Sequence, residues 1–231
     1  MIIGIVGSIG SGKDTIADYL VNFHEFRRES FASSVKDALS VIFGWDRVLL
    51  EGRTKESREW REQLDEWWAS RLDIPQLTPR WVMQNFATEL CRDQFHTDIW
   101  IASLENKLRK SKDNIVITDC RFPNEFESIK KMGGIIVRVK RGPEPVWITH
   151  VTGALNGDQF DRDILKNQYG IHESEWGWYG LSFDSIIDND GSIQDLYNKV
   201  KEFITSQEPS PLVSTLYLHD VVSVDSWRKL F

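Results

Sequence analysis

A short apolar run that stops at a glycine loop, with a helical pattern directly behind it, leaves this chain few folds to adopt. Ile2 to Val6 reads as a strand buried on both faces, and Lys13 to Phe23 carries helical periodicity. Between them Gly7-Ser8-Ile9-Gly10-Ser11-Gly12-Lys13 matches the GxxxxGK core of the Walker A loop, in the strand–loop–helix setting that the chemistry requires. Glycines let successive backbone N–H groups turn toward the β-phosphate, the helix N-terminus adds partial positive charge, and Lys13 can bridge the β- and γ-phosphates. Gly10, Ser11, Gly12, Lys13, Asp14 and Thr15 are therefore candidate ATP-binding residues. A tight glycine turn with no ligand is the bland alternative, and the setting weighs against it.

The residue after Lys13 is Asp14, where such loops usually place a hydroxyl for Mg²⁺, and a hydroxyl arrives only at Thr15. Mg²⁺ accepts carboxylate oxygens and keeps several waters, so Asp14 can serve the ion directly or through water. An acid that merely answers the helix dipole is the alternative.

Further along, Ile115 to Ile117 reads as a strand, Pro123 to Met132 as a helix ending at Gly133-Gly134, and Ile135 to Val139 as another strand. Ile186-Ile187 leads into Asn189-Asp190-Gly191 and a helix from Ser192 to Ile204. Strands alternating with helices imply an α/β fold with a parallel central sheet in three layers. Helical patterns at Ser34 to Phe43, Lys55 to Leu72, Pro79 to Asp93 and Asp98 to Lys110 fill a block too long for a crossover, which reads as an acceptor-binding insertion over about 33–112. Residues 141–180 are rich in Gly, Asp and Trp with little periodicity and suit a mobile lid better than a core element. The main domain is expected over 1–206, and a tail of open role over 207–231.

Composition narrows the partners. With 28 Lys plus Arg against 35 Asp plus Glu, the formal charge of −7 over 231 residues argues against a nucleic-acid polymer, although a small anion needs only a local basic cluster. Cys91 and Cys120 have no zinc or disulfide spacing, no apolar run is long enough to span a bilayer, and a reducing cytoplasm is expected. The apolar stretch Val213 to Val224 could dock on the domain or on a second copy, so a homodimer is an open expectation.

Several residues could hold an acceptor. Asp119 directly follows a buried strand, where ligands of open α/β sheets sit, and is a candidate for the magnesium shell or for an acceptor contact. Arg121 and Glu125 lie just beyond it, with an ordinary ion pair as the alternative. Thr78-Pro79 reads as a helix start, which puts Arg80 where the dipole disfavours a cation unless an anion is there too. Arg80, Gln84 and Thr88 share one face by their spacing of four. Lys36, Arg53 and Arg58 add charge in the helical block, and Arg138, Lys140 and Arg141 add more at the lid's entrance. Trp100 could stack on a base, while His150 and His172 are too isolated to suggest a metal.

These segments together resemble the phage-type deoxynucleoside monophosphate kinases over most of the first 205 residues. The likeness rests on Gly12-Lys13-Asp14-Thr15, Phe31-Ala32 with Lys36-Asp37-Ala38-Leu39, and Thr78-Pro79-Arg80 with Gln84, Thr88 and Glu89. It continues through Asp98-Ile99-Trp100, Asp119 to Glu125, His172-Glu173-Ser174-Glu175 and Asn189-Asp190-Gly191-Ser192. The resemblance implies an NMP-kinase-like P-loop fold, ATP as donor with Mg²⁺, and Lys36, Arg58, Arg80, Gln84, Thr88, Trp100, Asp119, Arg121 and Glu125 around a deoxynucleoside monophosphate. Lys13, Arg121 and Asp119 would be the catalytic groups, and Arg141 and Asn189 would stand near the donor. Ala87 occupies a place where the family often has Gly. A kinase of another small phosphorylated metabolite, such as dephospho-coenzyme A or phosphomevalonate, and a regulatory ATP-binding module without catalysis are the alternatives.

Overall fold

The computed structural model describes residues 1–207, so the expected tail lies, apart from Gln207, outside the described residues. In chain order the first elements are β1 (Ile2–Val6), α1 (Lys13–Phe23), β2 (Phe26–Glu29), α2 (Ser33–Phe43), α3 (Lys55–Arg61), α4 (Glu66–Leu72) and α5 (Pro79–Gln84), which runs on as a π-helical stretch over Asn85–Asp93. Then come α6 (Ile99–Leu108), β3 (Asn114–Ile117), α7 (Pro123–Lys131), β4 (Ile135–Lys140), α8 (Val151–Leu155), α9 (Gln159–Asp163), β5 (Ser185–Asp188) and α10 (Ile193–Gln207).

Five strands lie in the order β2-β3-β1-β4-β5, every pair parallel. Parallel strands need helical crossovers that cover both faces, and the central strands are accordingly near-continuous apolar runs. α1 packs on β2 and β3, and α7 packs on β1 and β4. The loops after β1 and β3 meet at the sheet's carboxyl edge, where the strand order reverses, and this crevice is where open α/β sheets bind ligands.

Two buried clusters divide the apolar residues. One joins the sheet (Val6, Ile115, Ile117, Ile136) to Phe126 and Ile129 of α7. The other joins Val35, Leu39, Trp45, Leu50, Leu77, Val82 and Trp100, so the helical block between β2 and β3 has its own core. α6 serves both, with Trp100 in the second cluster and Ile101, Leu104 and Leu108 in the first.

Three expectations change. β2 was not anticipated, because Phe-Arg-Arg-Glu reads as polar, yet Phe26 and Glu29 are both buried. The pattern from Lys55 to Leu72 is two helices, since Thr54 caps one and Asp65 caps the next by accepting from Trp68 N at 3.1 Å. The segment 141–180 holds short helical turns, and its Val151, Ala154, Leu165, Trp176, Trp178 and Tyr179 join the sheet's own cluster. Aromatic bulk, rather than periodicity, carries that packing.

Residues 1–190 form one compact unit, and α10 belongs to a second that starts at Gly191. Within that second unit Ser192 Oγ accepts from Asp195 N at 3.2 Å while Asp195 Oδ2 accepts from Ser192 N at 2.9 Å, a reciprocal cap. Among the described residues no helix is long and apolar enough to cross a membrane.

Candidate active site

The loop after β1 is built around close approach. A Cβ on Gly7 would lie 2.3 Å from the Val139 carbonyl oxygen and 2.7 Å from Ser11 Oγ, so only glycine fits there. Gly12 at the start of α1 has φ of 105°, a left-handed conformation that glycine adopts without strain. Lys13 Nζ donates to the carbonyls of Gly7 at 2.7 Å and Ser8 at 2.9 Å, which folds the ammonium over the loop. Burial lowers the Lys13 pKa, opposed by the negative field of Glu175 and reinforced by Arg121. Ser11 Oγ is buried without a hydrogen-bond partner inside the same loop, a polar atom left for a ligand to satisfy.

Asn189, expected near the donor, reaches the phosphate loop. It is buried, and its Nδ2 donates to the Ser11 carbonyl at 2.8 Å, so it braces the phosphate loop from the turn after β5. Asp14 stands with a largely open carboxylate beside Arg28, whose Nη2 donates to Asp14 Oδ1 at 3.0 Å and to its carbonyl at 3.2 Å. Arg28 was not anticipated, because it lies on the strand that sequence reading missed.

The loop after β3 is the other half of the crevice. Asp119 is half-buried and both carboxylate oxygens accept backbone hydrogen bonds at 3.1 Å, from Phe31 N and from Ala32 N. That fixes the entry to α2 and makes the residue a brace for the site. Desolvation raises its pKa against those two hydrogen bonds and the field of Lys36. Glu125 Oε2 accepts from Arg121 N at 2.7 Å and Phe122 N at 3.1 Å, so the pair of Arg121 and Glu125 meets through backbone and leaves the guanidinium free. Arg121 Nη1 instead donates to Ser174 Oγ and Glu175 Oε1, each at 2.8 Å.

Around the helical block the expected acceptor residues are spread along one side. Lys36 Nζ pairs with Glu51 at 2.7 Å, and Arg47 pairs with the same carboxylate, which holds Glu51 down to a pKa of about 2 against its burial. Thr78 caps α5 by accepting from Trp81 N at 3.1 Å with Pro79 in the first turn, as expected, and Arg80 is half-exposed with Glu62 3.5 Å away. Gln84 and Thr88 are exposed, and Arg58 is exposed with its Nη1 on the Arg53 carbonyl at 3.4 Å. Trp100 is 8% exposed and its Nε1 donates to the Ala87 carbonyl at 3.0 Å, which leaves little of the ring for a base.

Beside the phosphate loop opens a cavity of about 340 Å³ lined by Ser8 to Ser11, Arg141, Trp147 and Glu175 among others. Glu144 on its wall neutralises Arg138 at 2.5 Å and accepts from Tyr179 Oη at 3.1 Å. Arg138 itself is caged over the rings of Trp178, Tyr179 and Phe183 at 5.1 to 5.7 Å.

The phosphate loop and the Asp119–Glu125 loop thus face one another, with Arg121 bonded to Glu175 and the same carboxylate raising the pKa of Lys13. The profile of the deoxynucleotide monophosphate kinase family matches residues 62–168, which takes in that second loop. A protein of Acanthamoeba polyphaga mimivirus, provisionally named a deoxynucleotide monophosphate kinase, is 30% identical over 215 residues, 87% of this chain and 94% of that protein. The chain belongs to the deoxynucleotide monophosphate kinase family. The deoxynucleoside-5′-monophosphate kinase of Escherichia phage T5 is 31% identical over 180 residues, covering 57% of this chain and 72% of the phage protein. A dephospho-CoA kinase from Campylobacter jejuni superimposes with a TM-score of 0.39 and 17% identity over 89% of this chain and 96% of that one, too loosely to bear on function.

Within this family member no group of three or more His, Cys, Asp or Glu among the described residues is arranged to hold a metal. The donor set fits Mg²⁺ rather than a caged ion: one open carboxylate, Asp14, stands next to Lys13, and Mg²⁺ takes its remaining ligands from phosphates and water.

Proposed function

We propose that this chain transfers the terminal phosphoryl group of ATP to a deoxynucleoside 5′-monophosphate, giving the diphosphate and ADP for DNA synthesis. The observation that carries the reading is the pairing of Lys13 and Arg121 across one crevice, each within the field of Glu175, in a chain of this family. Two cations from two different loops suit two anionic substrates that must meet end to end.

The loop amides and Lys13 bind the donor's phosphates, and Arg121 with Arg80 and the lid-side Arg141 screens the repulsion between the two anions. A phosphate monoester loses its second proton near pH ~6, so the acceptor oxygen is already a nucleophile and no strong base is required. Asp119 holds the Phe31–Ala32 turn, and Glu125 holds the Arg121 backbone, so both act by position. Mg²⁺, held by Asp14 and by substrate oxygens, would neutralise charge on the phosphates. The helical block of about 33–112 is the acceptor-binding insertion, and 141–180 the cover that excludes water. A cytoplasmic site of action completes the reading.

The test is ADP release with each common deoxynucleoside monophosphate, its ribonucleotide counterpart and dephospho-coenzyme A. The proposal expects acceptor-dependent ADP with at least one deoxynucleotide at more than about tenfold the kcat/KM of dephospho-coenzyme A, a difference of ~1.4 kcal/mol. ADP formation indifferent to the added acceptor would overturn it.

A further inference from the structure

One cation of the crevice is claimed by none of the roles above. Arg92 lies near the end of the π-helical stretch that continues α5, and its side chain is only 25% exposed. Its Nη2 is 3.4 Å from Glu125 Oε1, and its guanidinium carbon stands 5.6 Å over the Phe122 ring. The helix carrying Arg80, Gln84 and Thr88 therefore grips both the carboxylate and the aromatic ring of the loop that presents Arg121. π-type turns inside helices concentrate at functional positions, because they redirect a side chain that a regular turn would send elsewhere.

We propose that Arg92 is a positioning residue for phosphoryl transfer: it ties the acceptor-binding helix to the buried Glu125 carboxylate and so fixes the Arg121–Phe122 backbone. This rests on the kinase reading above.

Glu125 accepts from three donors at once, Arg121 N and Phe122 N on Oε2 and Arg92 on Oε1, and the ionised carboxylate, with all its lone pairs free and a charge for the guanidinium, suits that task better than the acid. The groups facing it are Asp119 from the end of β3, which disfavours its charge, and Arg92 from the helix, which favours it. Burial is the largest influence and lifts the Glu125 pKa to about 7, so its charge is marginal at working pH and Arg92 is the side-chain cation that sustains it. Asn124 on the same turn donates to Asp98 at 2.9 Å, anchoring the loop a second time to the start of α6.

The experiment compares R92K, R92M, E125Q and the double variant R92M/E125Q with the wild type, measuring kcat/KM for the acceptor and KM for ATP across about pH 5.5 to 9. R92M is expected to lower acceptor kcat/KM by roughly tenfold near neutrality, to move the acid limb to higher pH, and to leave KM for ATP within about twofold. R92K should restore most of the loss, and R92M should add less than about twofold once Glu125 is already Gln. A full R92M effect in the E125Q background, an unmoved acid limb, or equal losses for both substrates would overturn the proposal. If R92M does not fold, R92Q and R92Q/E125Q carry the same cycle. Melting temperatures of the set against pH read the Arg92–Glu125 pair without any turnover, so an inactive wild type, which would sink the kinase reading and the positioning role with it, is distinguished from an active enzyme in which the pair is uncoupled.

Discussion

The guanidinium of Arg121 donates to Glu175 at 2.8 Å, and that carboxylate also raises the pKa of Lys13 against the effect of its burial. An acid from the 141–180 segment thus acts on both cations that the substrates' phosphates need. Glu175 lines the cavity beside the phosphate loop, so a phosphate entering there competes with it.

Glu175→Gln should therefore tighten binding of a non-hydrolysable ATP analogue. The pair with Arg121 is partly exposed and worth about 0.2–1 kcal/mol, which corresponds to roughly a 1.4-fold to fivefold fall in Kd. Calorimetric titration checks this, and weaker binding by the variant would mean that Glu175 supports the donor site.

Glu125 gives a pH signature in stability. Its pKa is raised in the folded protein to about 7 from 4.5, chiefly by burial, so the native state holds a proton that the unfolded chain has released. The stabilisation this brings is present in full below about pH 4.5 and is lost as pH rises through 7. Glu125→Gln cannot lose it. The variant should match the wild type in acid and exceed it above neutrality by up to about 3 kcal/mol, as read from denaturation midpoints at the two extremes.

Asp119→Asn should cost stability at every pH where the wild-type carboxylate is ionised. One of its two acceptor oxygens becomes an NH₂ group facing a backbone N–H, of Phe31 or of Ala32. Leaving a buried donor unpaired costs about 1–3 kcal/mol, and urea unfolding measures it.

Arg80 is half-exposed on a well-capped helix start, so Arg80→Ala should leave stability nearly unchanged and act on the acceptor. Losing a charge-assisted contact of about 1.5–3 kcal/mol weakens acceptor binding by roughly tenfold to a hundredfold. Titration with a deoxynucleoside monophosphate and, separately, with an ATP analogue checks that the loss falls on one ligand.

The phosphate loop was legible because its chemistry is contiguous: Gly7 to Lys13 is strand end, turn and helix start in one run. Central strands such as Asn114–Ile117 and Ile135–Lys140 were legible because burial on both faces leaves them the apolar runs Ile115–Ile117 and Ile135–Val137. β2 was not, since its buried Glu29 is made tolerable by Lys107, 78 positions away at 2.7 Å. The same separation hid the contacts that organise the site. Arg92 with Glu125 spans 33 positions and Arg121 with Glu175 spans 54, and nothing in local spacing announces either pair. The two backbone N–H groups that Asp119 receives, from Phe31 and Ala32, were not legible either, because they lie 88 and 87 positions away.

The most direct test of the account follows the phosphoryl group itself. ATP labelled at its terminal phosphate is incubated with a deoxynucleoside monophosphate and either the wild type or Lys13→Ala. The account predicts label in the deoxynucleoside diphosphate with the wild type. It also predicts a loss of turnover of roughly 100-fold to 1,000-fold in a variant that stays folded, because Lys13 is a preorganised charge bonded to the Gly7 and Ser8 carbonyls and not a core group. Label appearing only in inorganic phosphate, or undiminished transfer by a folded Lys13→Ala protein, would contradict it.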